Sequence, residues 1–308
     1  MMELKEYEEW MDAIMKQKQE IENDVALEKE LEKELQRLQQ MAYTNLSAWD
    51  RVYLARHKDR PKAMDYIHAL CKDFMEMHGD RYYGDDQAMV TGIATFHDIP
   101  VTVIAEVKGK STSENVLRNF GMPSPEGYRK ALRAAKQAEK FHRPIITFVD
   151  TPGAYPGKGA EERGQAEAIA RCLYDFSDLN TIVLCVVISE GGSGGALALS
   201  VADRIIMLEN AIYSILSPEG FASILYKDGS KAKEASEQMK LTAKDLLDKG
   251  IVDTVVQEPL GGVQQDFASF LLDLDKVLYE NLTKLKKEKM HTLIQERYKK
   301  YRKIGVYE

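Results

Sequence analysis

Two short runs limit the fold more than any other feature of this sequence. "PIITFVD" at 144–150 and "TIVLCVVIS" at 181–189 are almost wholly apolar and rich in β-branched residues. A strand with one face in water alternates apolar and polar residues, whereas a strand that is apolar throughout is buried on both faces. Each run leads into a glycine-rich turn and then a helix-forming stretch. The first is followed by "TPGAYPGKGAEERG" and "QAEAIARCLYDF", the second by "SEGGSGGALALS" and the short helix "GALALSVAD". Strand, glycine-rich turn and helix in repetition predict an α/β body.

Further elements agree. "AMVTGIATFHDIPVTVIAEV" reads as a hairpin turning at His97-Asp98, with Pro100 opening its second strand. "SPEGYRKALRAAKQAEKF" reads as a helix with Ser124 as N-cap and Pro125 at its first position. "RIIMLE", "AIYSIL" and "IVDTVVQE" are further strands, and "SPEGFASILY" is a second helix that starts on proline. Residues 43–83 read as mixed, mostly helical. The tail from about 263 is helical. Residues 3–42 read as a charged amphipathic helix or helical pair. Leu4, Tyr7, Met11, Ile14, Ile21, Val25 and Leu35 fall on a heptad seam, but Lys18, Glu28, Glu32 and Gln39 interrupt it. A helix or helical pair packed on the chain's own body, or on a partner, is expected rather than a sustained coiled coil. The expected division is a helical extension over 1–42, a body over 43–262 and a helical segment over 263–308.

Composition narrows the function. The chain has 308 residues, 44% of them apolar, and a net charge of −7. That balance argues against a nucleic-acid binder, which carries a basic stripe. The basic cluster "YKKYRK" at 298–303 reads as a solvated helix face. No apolar run is long enough to span a membrane and the N-terminus lacks a signal-like apolar core, so a cytoplasmic location is expected. Cys71, Cys172 and Cys185 are too far apart for zinc-ligand spacing, and Cys172 and Cys185 read as buried fillers.

The stretch Ser189–Ser200 then poses the functional question, with four glycines in five positions from Gly191 to Gly195. A flexible linker does not fit between a buried strand and an Ala/Leu helix. A dinucleotide fingerprint fails because the third glycine position counted from Gly192 is Leu197, and a P-loop fails because Ala196 follows Gly195. Gly109-Lys110-Ser111 also follows a strand, but Ile104 stands where a P-loop needs its first glycine. Gly191-Gly192-Ser193-Gly194-Gly195 matches a nucleophile elbow, yet only His291 follows Ser193, and it sits in a charged helical run. An oxyanion hole remains. Two small residues where strand passes to helix offer unbonded backbone N–H groups, with the helix dipole behind them. Close packing of helix on sheet explains the same glycines, and spacing alone leaves the two level.

Longer motifs carry a family resemblance. "RNFGMPSPEGYRKALR" (118–133), "PIITFVDTPGAYPGKGAEERGQAEAIAR" (144–171), "SEGGSGGALAL" (189–199), "YSILSPEGFASILYK" (213–227) and "EPLGG" (258–262) resemble, in order and spacing, the alpha subunits of the carboxyltransferase of bacterial acetyl-CoA carboxylase. The resemblance runs from about Tyr43 to Gly262. It implies a crotonase-like (ClpP/crotonase) α/β superhelix of repeated β-β-α units with helical extensions at both ends. It implies transfer of a carboxyl group from carboxybiotin, on a biotin carboxyl carrier protein, to acetyl-CoA, giving malonyl-CoA for fatty acid synthesis. Both are substrates, and no cofactor is bound covalently.

The same resemblance implies a beta subunit bearing a zinc ribbon, an α2β2 core, and an indirect link to biotin carboxylase, with no metal, nucleic acid or membrane on this chain. Gly194 and Gly195 become the backbone donors to the biotin carbonyl, and Gly153, Gly157, Gly191 and Gly192 the substrate-binding wall, although turn geometry with Pro152 and Pro156 explains Gly153 and Gly157 equally well. Ser193 is then no nucleophile. The loop in "EVKGKSTSENVLRNFG" reads as shorter than the family's, which leaves its contacts open. Two alternatives stand beside this reading. A stand-alone crotonase-like hydratase or isomerase would need a glutamate near Leu197 and Ala198, and a scaffold paralogue would keep the fold without the chemistry.

Overall fold

The computed structural model describes residues 3–20 and 24–305. Helices α1 (Leu4–Glu20) and α2 (Val25–Tyr43) fold back on each other, with Asp24 capping α2 by accepting from the N–H groups of Ala26 and Leu27. Leu4 and Met11 pack on Leu38, Ala42 and Tyr43, and Leu54 of the body joins the same cluster. Glu8 accepts from the hydroxyls of Tyr43 and Tyr53 at 2.9 and 2.7 Å. The pair therefore docks on its own chain, one of the two placements expected for it. Val25 is 62% exposed, so the heptad does not continue. Ile21 lies outside the described residues.

Helices α3 (Ala48–Ala55) and α4 (Ala63–Leu70) precede strand β1 (Lys72–Glu76). Strand β2 (Met89–Phe96) turns at His97-Asp98 into β3 (Ile99–Glu106). Both turn residues have positive φ, 46° and 59°, the twist a two-residue hairpin needs. Next come α5 (Thr112–Leu117), α6 (Pro125–Lys140), β4 (Ile145–Thr151), α7 (Lys158–Glu162) and α8 (Gln165–Ser177). Strand β5 (Val183–Gly192) leads directly into α9 (Ser193–Ser200). Then follow β6 (Arg204–Leu208), β7 (Ile212–Ser214), α10 (Pro218–Leu225), α11 (Ala232–Met239), α12 (Ala243–Asp248) and β8 (Thr254–Val256). Helices α13 (Phe267–Leu285) and α14 (Met290–Lys303) close the chain.

One sheet runs in the order β1-β2-β3-β4-β5-β6-β8, antiparallel over the first three strands and parallel from β3 onward. Strand β5 changes partner along its length. Leu184–Val187 pair with β6, whereas Glu190–Gly192 pair with β7. Strands β4 and β5 are buried almost throughout, as their apolar runs require. Neighbouring residues on β4 face opposite layers. Thr147 donates its hydroxyl to the Leu199 carbonyl of α9, while Phe148 stacks on Tyr66 of α4. Ala131, Ala134, Ala135 and Ala138 let α6 lie close on the first side, and α13 adds Phe270, Leu274, Leu278 and Leu282 to the main core.

Two boundaries and one strand differ from the sequence reading. Strand β5 runs on through Gly191 and Gly192, because β7 supplies a partner for a segment with little strand propensity of its own. Helix α9 starts at Ser193 and stops at Ser200, so Val201–Asp203 do not continue it. Strand β1 was not foreseen: four of its five residues are exposed, so no apolar pattern marks it.

Candidate active site

Strands β4 and β5 are parallel neighbours, so the loops beyond their carboxyl ends meet. That is where ligands bind in open α/β sheets. The contact between Pro152-Gly153-Ala154 and the start of α9 is too close for side chains at two positions. A Cβ on Gly192 would lie 2.1 Å from the Pro152 carbonyl oxygen. One on Gly195 would lie 2.8 Å from the Tyr128 hydroxyl and 3.0 Å from the Ala154 nitrogen. Gly194 is different. A Cβ there would meet only Ile169, at 3.6 Å, an ordinary contact. Packing therefore explains Gly192 and Gly195 but leaves Gly194, which is half-buried, without a packing reason.

Ser193, Gly194 and Gly195 form the first turn of α9, whose N–H groups have no carbonyl one turn behind to bond. No side chain caps this end. Ser193 itself has φ of 38°, an uncommon value for a residue with a Cβ. Gly153 has φ of 153° and lies across from the Ser193 hydroxyl. Gly191 packs on the Tyr213 ring, and Gly157 begins α7 beside the Tyr155 ring. Of the sequence-predicted residues, Gly153, Gly191, Gly192, Gly194 and Gly195 therefore share one locality. Gly157 stands at the far end of the β4 loop.

A buried charged cluster backs these loops, and sequence reasoning did not find it. Lys108 donates to Asp150 at 2.9 Å and to Glu190 at 2.5 Å. Arg56 bonds Glu190 at 2.6 Å and Glu219 at 2.7 Å. Burial opposes the Glu190 charge, but Lys108 and Arg56 outweigh it and hold the carboxyl at about 2. Where β5 changes partner, Arg60 donates to the Ile188 carbonyl at 3.0 Å and grips Glu258 with both terminal nitrogens. The Ser189 hydroxyl bonds the Ala55 carbonyl at 2.5 Å. The "RNFG" segment closes over Lys108: Asn119, Phe120 and Gly121 all have positive φ, and a Cβ on Gly121 would meet the Lys108 Cγ at 2.6 Å. Glu106 is fully buried with neither carboxylate oxygen bonded, and burial, with Asp150 nearby, pushes its acid well above the usual range.

The competing motifs dissolve. No histidine bonds Ser193 among the described residues. His78 and His97 pair with Asp85 and Asp275, and His57 lies beside Glu8. The Gly109-Lys110-Ser111 turn precedes only the six-residue α5, and Lys110 pairs with Asp65. All three cysteines are buried and free. No metal-ligating group of three or more His, Cys, Asp or Glu exists among the described residues.

A family described as "Acetyl co-enzyme A carboxylase carboxyltransferase-like" matches residues 1–305. The acetyl-coenzyme A carboxylase carboxyl transferase subunit alpha of Listeria monocytogenes serotype 4b (strain CLIP80459) is 52% identical over 306 residues, covering 99% of this chain and 93% of that one. The subunit of the same name from Bacillus velezensis (strain DSM 23117 / BGSC 10A6 / LMG 26770 / FZB42) is 57% identical over 275 residues, 89% of this chain and 85% of its own. Among solved structures, a Pseudomonas malonate decarboxylase hetero-tetramer in complex with coenzyme A aligns with a TM-score of 0.57 at 17% identity, covering 70% of this chain and 86% of that one. The fold is the crotonase-like α/β fold expected from the sequence motifs.

Proposed function

The chain belongs to the acetyl-CoA carboxylase carboxyltransferase alpha-subunit family, and on that premise we propose that it is the half of a heteromeric carboxyltransferase that holds the biotin carbonyl. The enzyme moves a carboxyl group from carboxybiotin to acetyl-CoA. One observation supports this role for the α9 start: the N–H groups of Gly194 and Gly195 sit in an uncapped helical turn, and packing does not require a glycine at 194.

The chemistry needs those donors. When the N–CO2 bond of carboxybiotin breaks, CO2 leaves and negative charge settles on the ureido oxygen. Each preorganised N–H aimed at that oxygen is worth about 2.7–4 kcal/mol of barrier. The ureido anion then takes a proton from the acetyl methyl group, and the resulting enolate carbon attacks CO2 to give malonyl-CoA. The protein need supply no base, which fits a site where Asp150 and Glu190 are committed to Lys108 and Arg56 and Glu106 is fully buried, its acid form favoured by that burial. That cluster keeps the β3, β4 and β5 ends in register under the glycine loops. Gly153, Gly191 and Gly192 form the wall against which the substrate lies, and Gly157 extends it at the far end of the β4 loop.

A beta subunit of similar fold supplies the donors for the thioester enolate, in an α2β2 core served by the biotin carboxyl carrier protein in the cytoplasm. No helix among the described residues is long and apolar enough to cross a membrane. Residues 43–262 carry the site, with helical segments on either side. The test is purification of this chain with a candidate beta chain and an assay of malonyl-CoA-dependent biotin carboxylation. Turnover by the complex, and none by either chain alone, supports the proposal. A folded, stable complex without turnover refutes it.

A further inference from the structure

At the amino ends of β6 and β8, the opposite end of the parallel strands from the glycine loops, α13 and α14 enclose a cavity of about 570 Å³ with the body. Seven cationic side chains line it: Arg204, Lys249, Lys284, Arg297, Lys299, Lys300 and Lys303. Three come from the "YKKYRK" cluster that reads from sequence as a solvated face. Folding gathers them with three cations more than fifty residues away or on other elements.

The pairing within the cleft leaves a surplus of positive charge. Asp253 takes Lys300, and Glu296 takes Lys299 at 2.7 Å. Asp203 is occupied by Arg297 at 2.8 Å. Arg204, Lys249, Lys284 and Lys303 have no carboxylate partner among the described residues, and Glu288 is the one lining carboxylate that is also unpaired among them. General basicity does not account for this, since the chain's net charge is −7.

The wall carrying the lysines is held firmly. Arg297 of α14 is buried, and besides Asp203 it donates to the carbonyls of Phe176, Leu179 and Thr181. Leu285, Leu293 and Ile304 add apolar lining. A concave site of this volume suits a small molecule, and low-dielectric walls focus the field of the surrounding cations. A single carboxylate would neutralise only one of the four unpaired cations that line the cleft. We propose that this cleft binds a small oligophosphate, either a nucleoside oligophosphate or a bare inorganic chain.

Calorimetric titration of the full chain with tripolyphosphate and, separately, with ATP tests this at about 20 mM salt, where screening is weak. The proposal expects submillimolar binding that weakens as salt is raised. The exposed triple variant Lys249→Ala, Lys284→Ala, Lys303→Ala should bind at least tenfold more weakly. The control triple Lys5→Ala, Lys29→Ala, Lys33→Ala, on the N-terminal helices, should bind as wild type does. ATP binding tighter than tripolyphosphate assigns the apolar lining to a nucleoside, and equal affinity assigns the site to the phosphate chain alone. Absence of wild-type binding up to about 1 mM, an unaffected cleft variant, or an equal loss in the control overturns the proposal.

Discussion

Replacing Gly194 separates the backbone donor from the space around it. Gly194→Ala and Gly194→Pro both add a Cβ, whose only near neighbour is Ile169, at 3.6 and 3.9 Å, so neither creates a packing clash at that carbon. Alanine keeps the N–H and favours a helix over glycine by about 0.8–1 kcal/mol. Proline removes the N–H in a first turn, where no intrahelical bond is lost. The kcat ratio of the two variants therefore reads out the donor. If the N–H meets charge that develops only in the transition state, proline should lower kcat about 10²–10³-fold relative to alanine, or about 2.7–4 kcal/mol. The assay is malonyl-CoA-dependent biotin carboxylation by the complex with a beta chain, at saturating substrates. Proline also narrows the backbone of Ser193, so thermal midpoint and complex assembly are measured alongside. A folded, assembled Gly194→Pro enzyme with more than a tenth of the Gly194→Ala rate would refute the donor role.

Other residues make separate predictions. Gly195→Ala must push aside the Tyr128 hydroxyl and the Ala154 nitrogen, at 2.8 and 3.0 Å, and should cost about 1–3 kcal/mol of stability in denaturant melts. Adding Tyr128→Phe should recover part of that loss, because the hydroxyl it deletes is buried without a hydrogen-bond partner; no recovery would mean that the backbone contact dominates. Ser193→Gly should keep kcat within about threefold and leave stability equal or higher, since it relieves a positive φ; a loss of several hundredfold would restore the nucleophile reading. Glu190, held at about 2, contributes stability that is fully present above its unfolded value near 4.5 and lost as pH falls towards 2. The shift corresponds to about 3 kcal/mol. Glu190→Gln should flatten that acid limb of the stability-pH curve and, by leaving Lys108 and Arg56 short of a partner, lower stability at neutral pH. An unchanged acid limb would contradict the cluster's role.

The parts of the fold visible in the sequence were those set by local chemistry. Two all-apolar runs required strands covered on both faces, and His97-Asp98 between β-branched runs required a tight hairpin. What depended on partners was hidden. Strand β1 has neither alternation nor an apolar run and exists through its pairing with β2. The glycines ending β5 are extended because β7 lies beside them. The cluster of Arg56, Lys108, Asp150 and Glu190 consists of ordinary charged residues far apart in the chain, and only the strand order unites them. The glycine run shows the limit most clearly. Spacing could not separate close packing from anion binding, and the structure divides them by residue. Gly192 and Gly195 are required by neighbours, while Gly194 is not.

The central claim concerns two N–H groups and one oxygen. A structure of the assembled alpha–beta complex with biotin bound should place the ureido oxygen about 2.7–3.1 Å from the backbone nitrogens of Gly194 and Gly195. Biotin bound with that oxygen directed at any other group, and no electron density at the start of α9, would contradict it.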